Sequence, residues 1–244
     1  MRTERAQVRR QGFGALLTDE QWTAFLKAGA TRVFRDGEPI VRQGDREGVV
    51  YMLAEGAVKV AVVRPDGSES LLALRGPGEA LGEFSALSGL PRTATVTPTG
   101  GDCLTRALTS AHFRLLVDRM DLHRTLWEHV VKRQSEGESQ RAEIVALPSG
   151  RRLAATLLRL TSVLGTRVPS AGGAEDGGRD RGRRGAVLRV GLSQKELGDW
   201  IGMSRASVAA EFGRLRSMGI IRTGRQYVSI RDLDRLREVA QGEP

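Results

Sequence analysis

Cys103 is the sequence's single cysteine among 244 residues. One thiol cannot form an intramolecular disulfide or supply the cysteine ligands of a zinc or iron–sulfur site. The longest uninterrupted apolar run, Val49 to Ala54, is too short to cross a bilayer, and the basic N-terminus has no apolar signal segment. We therefore expect a cytoplasmic protein without a membrane span.

Catalytic patterns are missing as well. The sequence contains no GxxxxGK[ST] phosphate loop, no metal-spaced ligand set and no recognisable group of nucleophile, base and orienting residue. The histidines fall on or near a predicted long helix, where a solvated or packing role explains them better than haem binding: His112, His123 and His129. We expect a protein that is not an enzyme and has no metal site.

Positive charge is concentrated towards the C-terminus. Residues 151–244 carry 18 Lys and Arg against 10 Asp and Glu, whereas residues 1–150 carry 20 against 19. A net charge of +9 also helps solubility, but its asymmetry favours a polyanionic partner such as nucleic acid.

Short β-strands are predicted from Thr31 to about Thr109, after one short helix from Asp19 to Ala28. Val58, Val60 and Val62 alternate with other residues, as in a strand with one buried face. Turn glycines recur through this stretch, which is typical of an antiparallel barrel or sandwich with tight corners: Gly37, Gly44, Gly56, Gly67, Gly76, Gly78 and Gly82.

A change to helical periodicity follows. Residues 110–147 contain no proline and predict one long helix, with Ser110 as its N-cap. Gly137 lies in its polar middle, where it either permits close approach of a helix or ligand or is an indifferent surface residue. Residues 148–150 predict a hinge, and residues 151–164 predict a further helix. Residues 171–185, AGGAEDGGRDRGRRG, predict a solvated loop whose arginines could also contact a partner.

Residues 192–221 contain the most specific pattern, a helix-turn-helix. Ser193 and Glu196 form a capping box at the start of one helix, Gly202 permits a sharp turn, and Ser204 caps a second helix. Apolar residues occur at core spacing in both helices: Leu197, Ile201, Val208, Phe212 and Leu215. Such a unit lays its second helix in the DNA major groove, although helix pairs also serve in packing.

Arg205, at the tip of the second helix, has the fork geometry to bond guanine O6 and N7. A small β-wing follows, with a turn at Thr223 to Gln226. The remaining predicted DNA contacts are short or basic donors suited to phosphate: Ser193, Gln194, Lys195, Ser204, Ser207, Arg222 and Arg225.

Three blocks together resemble the Crp/Fnr family of bacterial transcription regulators, which includes the cyclic-AMP receptor protein. They are GEPIVRQG at 37–44, LGEFSALSGLPRTATVT at 81–97, and residues 193–215. The resemblance runs from about Phe13 to Arg237. It implies an α+β fold with an N-terminal cyclic-nucleotide-binding β-roll, a long dimerisation helix and a C-terminal winged helix-turn-helix. The expected domains are 1–120 for sensing, 121–150 for the dimerisation helix and hinge, and 151–244 for DNA binding.

The block at 81–97 resembles the phosphate-binding cassette of cyclic-nucleotide domains. Arg92 can bond the ligand phosphate, Glu83 can accept the hydrogen of the ribose 2′-hydroxyl, and Gly82 lets the backbone approach. The other ligand-binding residues implied by the resemblance are Phe84, Thr93, Glu138 and Ser139. Cyclic AMP is favoured, and cyclic GMP stays open because a hydroxyl at the position of Thr93 favours syn guanine in some relatives. The two hydroxyl residues that meet adenine in the receptor align here with Glu138 and Ser139 or with Gly137 and Glu138, so one hydroxyl at most is kept.

The resemblance also implies a homodimer that binds a near-palindromic double-stranded DNA site and contacts RNA polymerase. Two recognition-helix residues differ from the cyclic-AMP receptor, because Ala206 and Ala210 stand where it has Glu and Arg. We therefore expect one shared guanine contact in each half-site and different flanking bases. Two alternatives stay open: a relative that binds DNA constitutively or with another effector, and a nucleotide-sensing module that acts on a protein partner.

Overall fold

Two units make up the chain, residues 1–138 and residues 139–244. The computed structural model describes residues 10–168, 185–188, 192–224 and 227–242. Each unit buries its own set of apolar side chains. Across the part of the chain that the structure describes, none of the helices combines the length and the apolar character needed to span a bilayer.

Antiparallel strands form a β-roll of two sheets in the first unit, which confirms the predicted strands. The strands are β1 (Ala30–Phe34), β2 (Val49–Glu55), β3 (Val58–Val63), β4 (Glu69–Arg75), β5 (Ala80–Leu81), β6 (Thr95–Pro98) and β7 (Cys103–Thr109). One sheet has the order β1-β7-β2-β5 and the other the order β4-β3-β6. The roll encloses an apolar cluster around Leu53, Val58 and Cys103, all fully buried.

The alternation predicted for β3 is wrong in detail. Val58 and Ala61 are its buried residues, while Val60 and Val62 are only partly buried. The pairing of β3 with β4 shifts register between Val60 and Ala61. The extra residue of this bulge, Leu72, lies on β4 and not on β3.

Helices pack against the roll, and the last of them continues past residue 138 into the second unit. They are α1 (Gly12–Ala15), α2 (Asp19–Ala28), α3 (Glu83–Ser88), α4 (Ser110–Arg119) and α5 (His123–Ala146). Helix α2 has the predicted bounds, and Thr18 caps it in a capping box with Gln21. Three fully buried rings join α1, α2 and α4: the Phe13 and Phe25 centroids lie 5.7 Å apart, and those of Phe25 and Phe113 lie 5.5 Å apart.

The single helix predicted for residues 110–147 is wrong, because the chain breaks between α4 and α5. Asp121 adopts a left-handed backbone conformation with φ 51°. The N–H of Leu122 then donates to the Val117 carbonyl at 2.9 Å, and the Leu122 side chain is buried in the roll's helical core. Thr109, not Ser110, is the N-cap of α4, and its side chain accepts the His112 N–H.

The second unit contains a four-stranded antiparallel sheet with the order β10-β11-β9-β8. Its elements are α6 (Ser149–Leu164), β8 (Gly165–Val168), β9 (Gly185–Leu188), α7 (Gln194–Ile201), α8 (Arg205–Ser217), β10 (Ile221–Gly224), β11 (Tyr227–Ile230) and α9 (Leu233–Gln241). The predicted wing is present as β10 and β11, and β8 and β9 extend it. Most of the predicted loop at 171–185 lies outside the described residues.

Only residues 147–148 separate α5 from α6, so α6 begins inside the hinge predicted at residues 148–150, and the hinge itself stays a prediction. Ser149 and Gly150 belong to the first turn of α6. The N–H of Arg152 donates to the Pro148 carbonyl at 3.0 Å, as in regular helix. Proline is well tolerated where a helix begins, because the first N–H groups have no intrahelical partner.

Candidate ligand site and helix-turn-helix

Backbone carbonyl groups hold the buried side chain of Arg92. Its Nη2 donates to the Glu47 carbonyl at 2.7 Å and to that of Val49, and its Nη1 donates to that of Gly82. A guanidinium has five N–H donors, so these bonds leave two for a ligand anion. Burial, the largest influence, lowers the pKa of Arg92, and the carboxylate of Glu83 opposes that shift. Arg92 is therefore a charged and already oriented donor.

Gly82 is required by this arrangement. Its φ of 83° lies in the left-handed region, which side chains other than glycine rarely adopt. A Cβ at this position would lie 2.2 Å from Arg92 Nη1. Gly82 thus leaves room for the guanidinium of Arg92, and α3 begins directly after it at Glu83.

Glu83 is 1 % exposed, and its carboxylate faces α5. Its Oε1 lies 3.3 Å from His129 Nε2 and 3.2 Å from Arg133 Nη1. Both partners therefore come from α5, the second helix after the last strand of the roll. Glu83 and Arg92, the two residues that the sequence singled out, lie close enough for the charge of one to shift the pKa of the other.

Arg133 joins Glu83 to a second buried carboxylate. Its Nη2 lies 2.7 Å from Glu79 Oε2, and Arg75 Nε lies 3.7 Å from Glu79 Oε1. Arg75 also pairs with Glu136 on α5 at 2.8 Å. We call this set the α5 ion-pair network: Arg75, Glu79, Glu83, Arg133 and Glu136. A buried carboxylate or guanidinium needs such partners to remain charged.

The network keeps its central groups ionised. Burial raises the pKa of Glu83, but the Arg133 charge and the His129 hydrogen bond together lower it below its ordinary value. Burial lowers the pKa of Arg133, and the carboxylates of Glu83 and Glu79 outweigh that effect and raise it. The site thus holds permanent charges of both signs beside Arg92 at neutral pH.

The remaining predicted ligand residues lie in different surroundings. The Phe84 ring is half-buried and lies 5.5 Å from the Arg133 guanidinium carbon. Thr93 is exposed directly beyond Arg92. Glu138 is exposed and accepts a hydrogen bond from Gln134 at 2.9 Å on its own helix. Ser139 is exposed and is the first residue of the second unit.

Gly137 has open space around it, since an added Cβ would meet no described atom within 4 Å. Close packing against a described element therefore does not explain this glycine. Two explanations of Gly137 remain: a ligand that binds beside it, or a surface position at which glycine has no particular role.

Sequence reasoning missed Arg133 as a site residue and gave His129 a solvated or packing role. His129 does pack, since its ring centroid lies 5.7 Å from that of Phe13 and 6.4 Å from that of Phe84, but it also contacts Glu83. His129 and Arg133 are one helical turn apart on α5, so their side chains lie on the same face of the helix. A basic residue four positions after a histidine on an otherwise amphipathic helix would have indicated a shared partner.

The Glu83–Arg133 contact predicts a characteristic pH dependence of stability. Because the folded-state pKa of Glu83 is lowered from 4.5, its stabilising contribution is present above that value and is lost as the pH falls through the folded-state pKa. The difference in free energy of unfolding between wild type and Glu83→Gln should therefore shrink as the pH falls from about 6 to about 3. Denaturant unfolding of the nucleotide-free protein at a series of pH values measures this difference.

Glu128→Gln is the matched control. Its carboxyl pKa is also lowered, chiefly by a hydrogen bond from Lys132, but Glu128 is exposed. Screening makes exposed ion pairs contribute little, so this variant should follow wild type at every pH. If the difference in free energy of unfolding between wild type and Glu83→Gln stayed constant over the same pH range, the ion-pair account would be contradicted.

The helix-turn-helix has the predicted caps. The Ser193 side chain accepts the Glu196 N–H while the Glu196 carboxylate accepts the Ser193 N–H, and Gly202 ends α7 with φ 66°. Ser204 caps α8 by accepting the Ser207 N–H at 3.0 Å. The predicted core residues are all buried: Leu197, Ile201, Val208, Phe212 and Leu215.

Contacts from α6 fix the helix pair within the second unit. Arg152 Nη1 donates to the Ile201 carbonyl at 2.8 Å and to the Gly202 carbonyl at 3.0 Å, where α7 ends. Ser149 Oγ donates to a Glu211 carboxylate oxygen of α8 at 3.2 Å. The start of α6 therefore holds both helices of the motif.

Most predicted DNA contacts lie on exposed surface. Arg205 is exposed at the start of α8 and has no hydrogen bond or ion pair to a described residue. Lys195 pairs with Asp199 at 2.7 Å on α7. The other described members of the predicted set are all exposed: Ser193, Gln194, Ser204, Ser207 and Arg222. Arg225 lies outside the described residues.

Family models match both units. A cyclic nucleotide-binding domain matches residues 31–120, and a Crp-like helix-turn-helix domain matches residues 151–239. The first range contains Glu83 and Arg92, and the second contains the whole helix-turn-helix.

Individual proteins are similar over nearly the whole chain. The CRP-like cAMP-activated global transcriptional regulator of Mycobacterium tuberculosis is 28% identical over 229 residues, 93% of this chain and 92% of that protein. The cyclic AMP receptor protein of Thermus thermophilus is 27% identical over 227 residues, 93% of this chain and 95% of that protein. Among solved structures, FixK2 of Bradyrhizobium japonicum has a TM-score of 0.68 at 19% identity, covering 86% of this chain and 96% of that one. The c-di-GMP-responsive regulator CLP of Xanthomonas campestris has a TM-score of 0.63 at 20% identity, covering 87% and 99%.

Proposed function

The chain belongs to the Crp/Fnr family of transcription regulators, and we propose that a cyclic nucleotide bound in its β-roll controls how it binds DNA. On this proposal residues 1–120 sense the nucleotide, residues 121–150 contain the dimerisation helix and hinge, and residues 151–244 read DNA. RNA polymerase would be its protein partner during transcription.

The Glu83–Arg92 pair is the observation that carries the proposal. Arg92 presents an oriented guanidinium with two N–H donors free for a phosphate, and Glu83 presents a buried carboxylate that can accept a ribose hydroxyl hydrogen. A cyclic nucleotide offers one singly charged phosphate and one 2′-hydroxyl. The protein's buried charges match that pair of groups.

Cyclic AMP is the favoured effector and cyclic GMP the second candidate. Two relatives that are similar over nearly the whole chain are named for cyclic AMP. The open space at Gly137 leaves room for a purine beside α5, and Thr93 is exposed next to Arg92, where its hydroxyl can bond a phosphate or a syn guanine.

A homodimer supplies the second DNA-reading unit. Trp127 and Val131 are 69% and 61% exposed, four residues apart on one face of α5. A second copy of α5 is the partner that we propose for this face, with Arg205 of each protomer reading one half of a near-palindromic site. Two recognition helices must then be spaced by about 34 Å, one turn of DNA.

Nucleotide control follows from where the ligand binds. The partners of Glu83 lie on α5, so a nucleotide that engages Glu83 favours one position of α5 relative to the roll. Since α5 is also the proposed dimer helix, the nucleotide biases the dimer towards one arrangement. The nucleotide therefore changes DNA affinity only as far as it prefers that arrangement.

Fluorescence anisotropy with DNA tests the proposal. A binding site is first selected from random sequence, and its affinity for nucleotide-free protein is measured with and without cyclic AMP or cyclic GMP at one salt concentration. We expect one nucleotide to tighten binding by about tenfold or more. Equal affinity under all three conditions would refute nucleotide control and support the constitutive relative. Failure to select any DNA sequence would refute the DNA-binding function itself and favour a module that acts on a protein partner.

A further inference from the structure

His129 is a buried polar side chain that the proposed function does not yet use. Its side chain is 2% exposed on α5, and its ring packs between Phe13 and Phe84. An apolar side chain would fill this position as well, and a buried polar nitrogen without a partner would be destabilising. The recorded partner of the imidazole is the Glu83 carboxylate, with Nε2 3.3 Å from Oε1.

The direction of this hydrogen bond follows from the charge state of Glu83. The carboxylate is ionised and can only accept, because Arg133 and His129 lower its pKa. Nε2 must therefore carry a hydrogen and donate a hydrogen bond to Oε1. The imidazole acts as a fixed donor to the carboxylate, and its ring orientation is set by the two phenylalanine rings.

Arg133 also contacts Glu83 but is less able to orient it. Its guanidinium divides its donors between Glu83, at 3.2 Å, and Glu79, at 2.7 Å. Arg133 thus neutralises two carboxylates at once. Among the described residues, Glu83 is the hydrogen-bond partner of the His129 ring, and the contacts of Glu83 with His129 and Arg133 both fall on Oε1. Neither of these two contacts uses Oε2, which can accept a hydroxyl hydrogen from a ligand.

We propose that His129 is a positioning residue for ribose recognition: it fixes the Glu83 carboxylate so that the second oxygen accepts the nucleotide 2′-hydroxyl. The inference rests on the proposed cyclic-nucleotide site and adds to it a residue that determines sugar specificity. Without the Nε2 donor, the carboxylate turns towards Arg133 and the 2′-hydroxyl loses an aligned acceptor. The rest of the nucleotide, its phosphate and base, keeps its contacts.

The ratio of affinities for a ribonucleotide and its 2′-deoxy analogue tests this role. Calorimetric titration measures dissociation constants for cyclic AMP and 2′-deoxy cyclic AMP, or for the cyclic GMP pair should guanine be preferred. We expect wild type to favour the ribonucleotide by about tenfold, as a hydrogen bond to a charged acceptor does. In His129→Leu the ratio should fall to about two or less, with the affinity for the deoxy analogue nearly unchanged.

Two amide variants separate positioning from packing. The Gln side chain places its amide nitrogen near the position of Nε2, so His129→Gln should restore most of the ratio. The Asn side chain is too short to reach Glu83, so His129→Asn should behave like His129→Leu and replaces it should the leucine variant fail to fold. Thermal unfolding of each variant shows whether it is folded.

The measured ratios either support or overturn the positioning role of His129. A ratio in His129→Leu or His129→Asn equal to that of wild type would overturn the positioning role and leave the proposed function intact. Failure of His129→Gln to differ from His129→Asn would overturn it as well. Wild-type protein that binds neither nucleotide would overturn the proposed function, and this inference with it.

Discussion

Arg92→Ala should weaken cyclic-nucleotide binding by about a hundredfold or more, because two charge-assisted hydrogen bonds to the phosphate are lost together. Isothermal titration calorimetry of nucleotide-free protein with cyclic AMP, then cyclic GMP, measures the effect. Wild type should bind one nucleotide per subunit. The loss should appear for both nucleotides, since the phosphate is common to them.

Two further variants show whether the planar guanidinium or only the charge matters. Arg92→Lys keeps the positive charge but lacks the guanidinium that the three carbonyls orient, so its affinity should fall between those of wild type and Arg92→Ala. Arg64→Ala removes an exposed arginine from the same unit and should change nothing. The substitutions at residue 92 also remove the hydrogen-bond donor of the Gly82, Glu47 and Val49 carbonyls. Thermal unfolding must therefore show that the Arg92 variants remain folded. Folded Arg92→Ala with near wild-type affinity would exclude Arg92 as the phosphate ligand.

Arg205→Ala should remove the preference for one guanine in each half-site. A bidentate contact between arginine and guanine contributes about 1–3 kcal/mol of discrimination, or about tenfold to hundredfold in affinity for the selected site. Arg205 is the one long side chain among the exposed residues of the first turns of α8: Arg205, Ala206, Ser207, Ala209 and Ala210. Selection of binding sites from random DNA by wild type and by the variant shows directly which base position of the half-site has lost its preference.

Arg222→Ala is the matched control on the wing. Arg222 is exposed on β10 and is predicted to contact phosphate. Its removal should weaken binding to all sequences alike and reduce the salt slope of the affinity by about one, without altering the selected bases. An unchanged base preference in Arg205→Ala, with wild-type structure, would mean that another element reads the sequence.

Features fixed by neighbouring residues were predictable from the sequence. The capping box of Ser193 and Glu196, the left-handed Gly202 and the cap at Ser204 each depend on residues within four positions. The bounds of α2 were predicted for the same reason. The resemblance to the phosphate-binding cassette also brought Glu83 and Arg92 together, across the short helix α3.

Features fixed by distant residues were not predictable. The carbonyls that hold Arg92 belong to Glu47 and Val49, more than forty residues earlier, and the partners of Glu83 lie more than forty residues later. The break at Asp121 depends on burying Leu122 among the roll's helices, which no local propensity expresses. Strand β8 pairs with β9 across a long connection, so its short sequence alone gave no sign of a sheet.

The two buried carboxylates of the roll set a limit on how this sensor can be moved between proteins. Glu79 and Glu83 lie in or beside the roll, but Arg133, which pairs with both, lies on α5 beyond the range matched by the cyclic nucleotide-binding model. Removing one member of a buried ion pair costs about 3–5 kcal/mol. A chimeric regulator that joins this roll to a foreign DNA-binding domain must therefore make its junction after Arg133. A junction at residue 120 would remove both α5 partners of Glu83 and would leave Glu79 with Arg75 alone among these ion-pair partners.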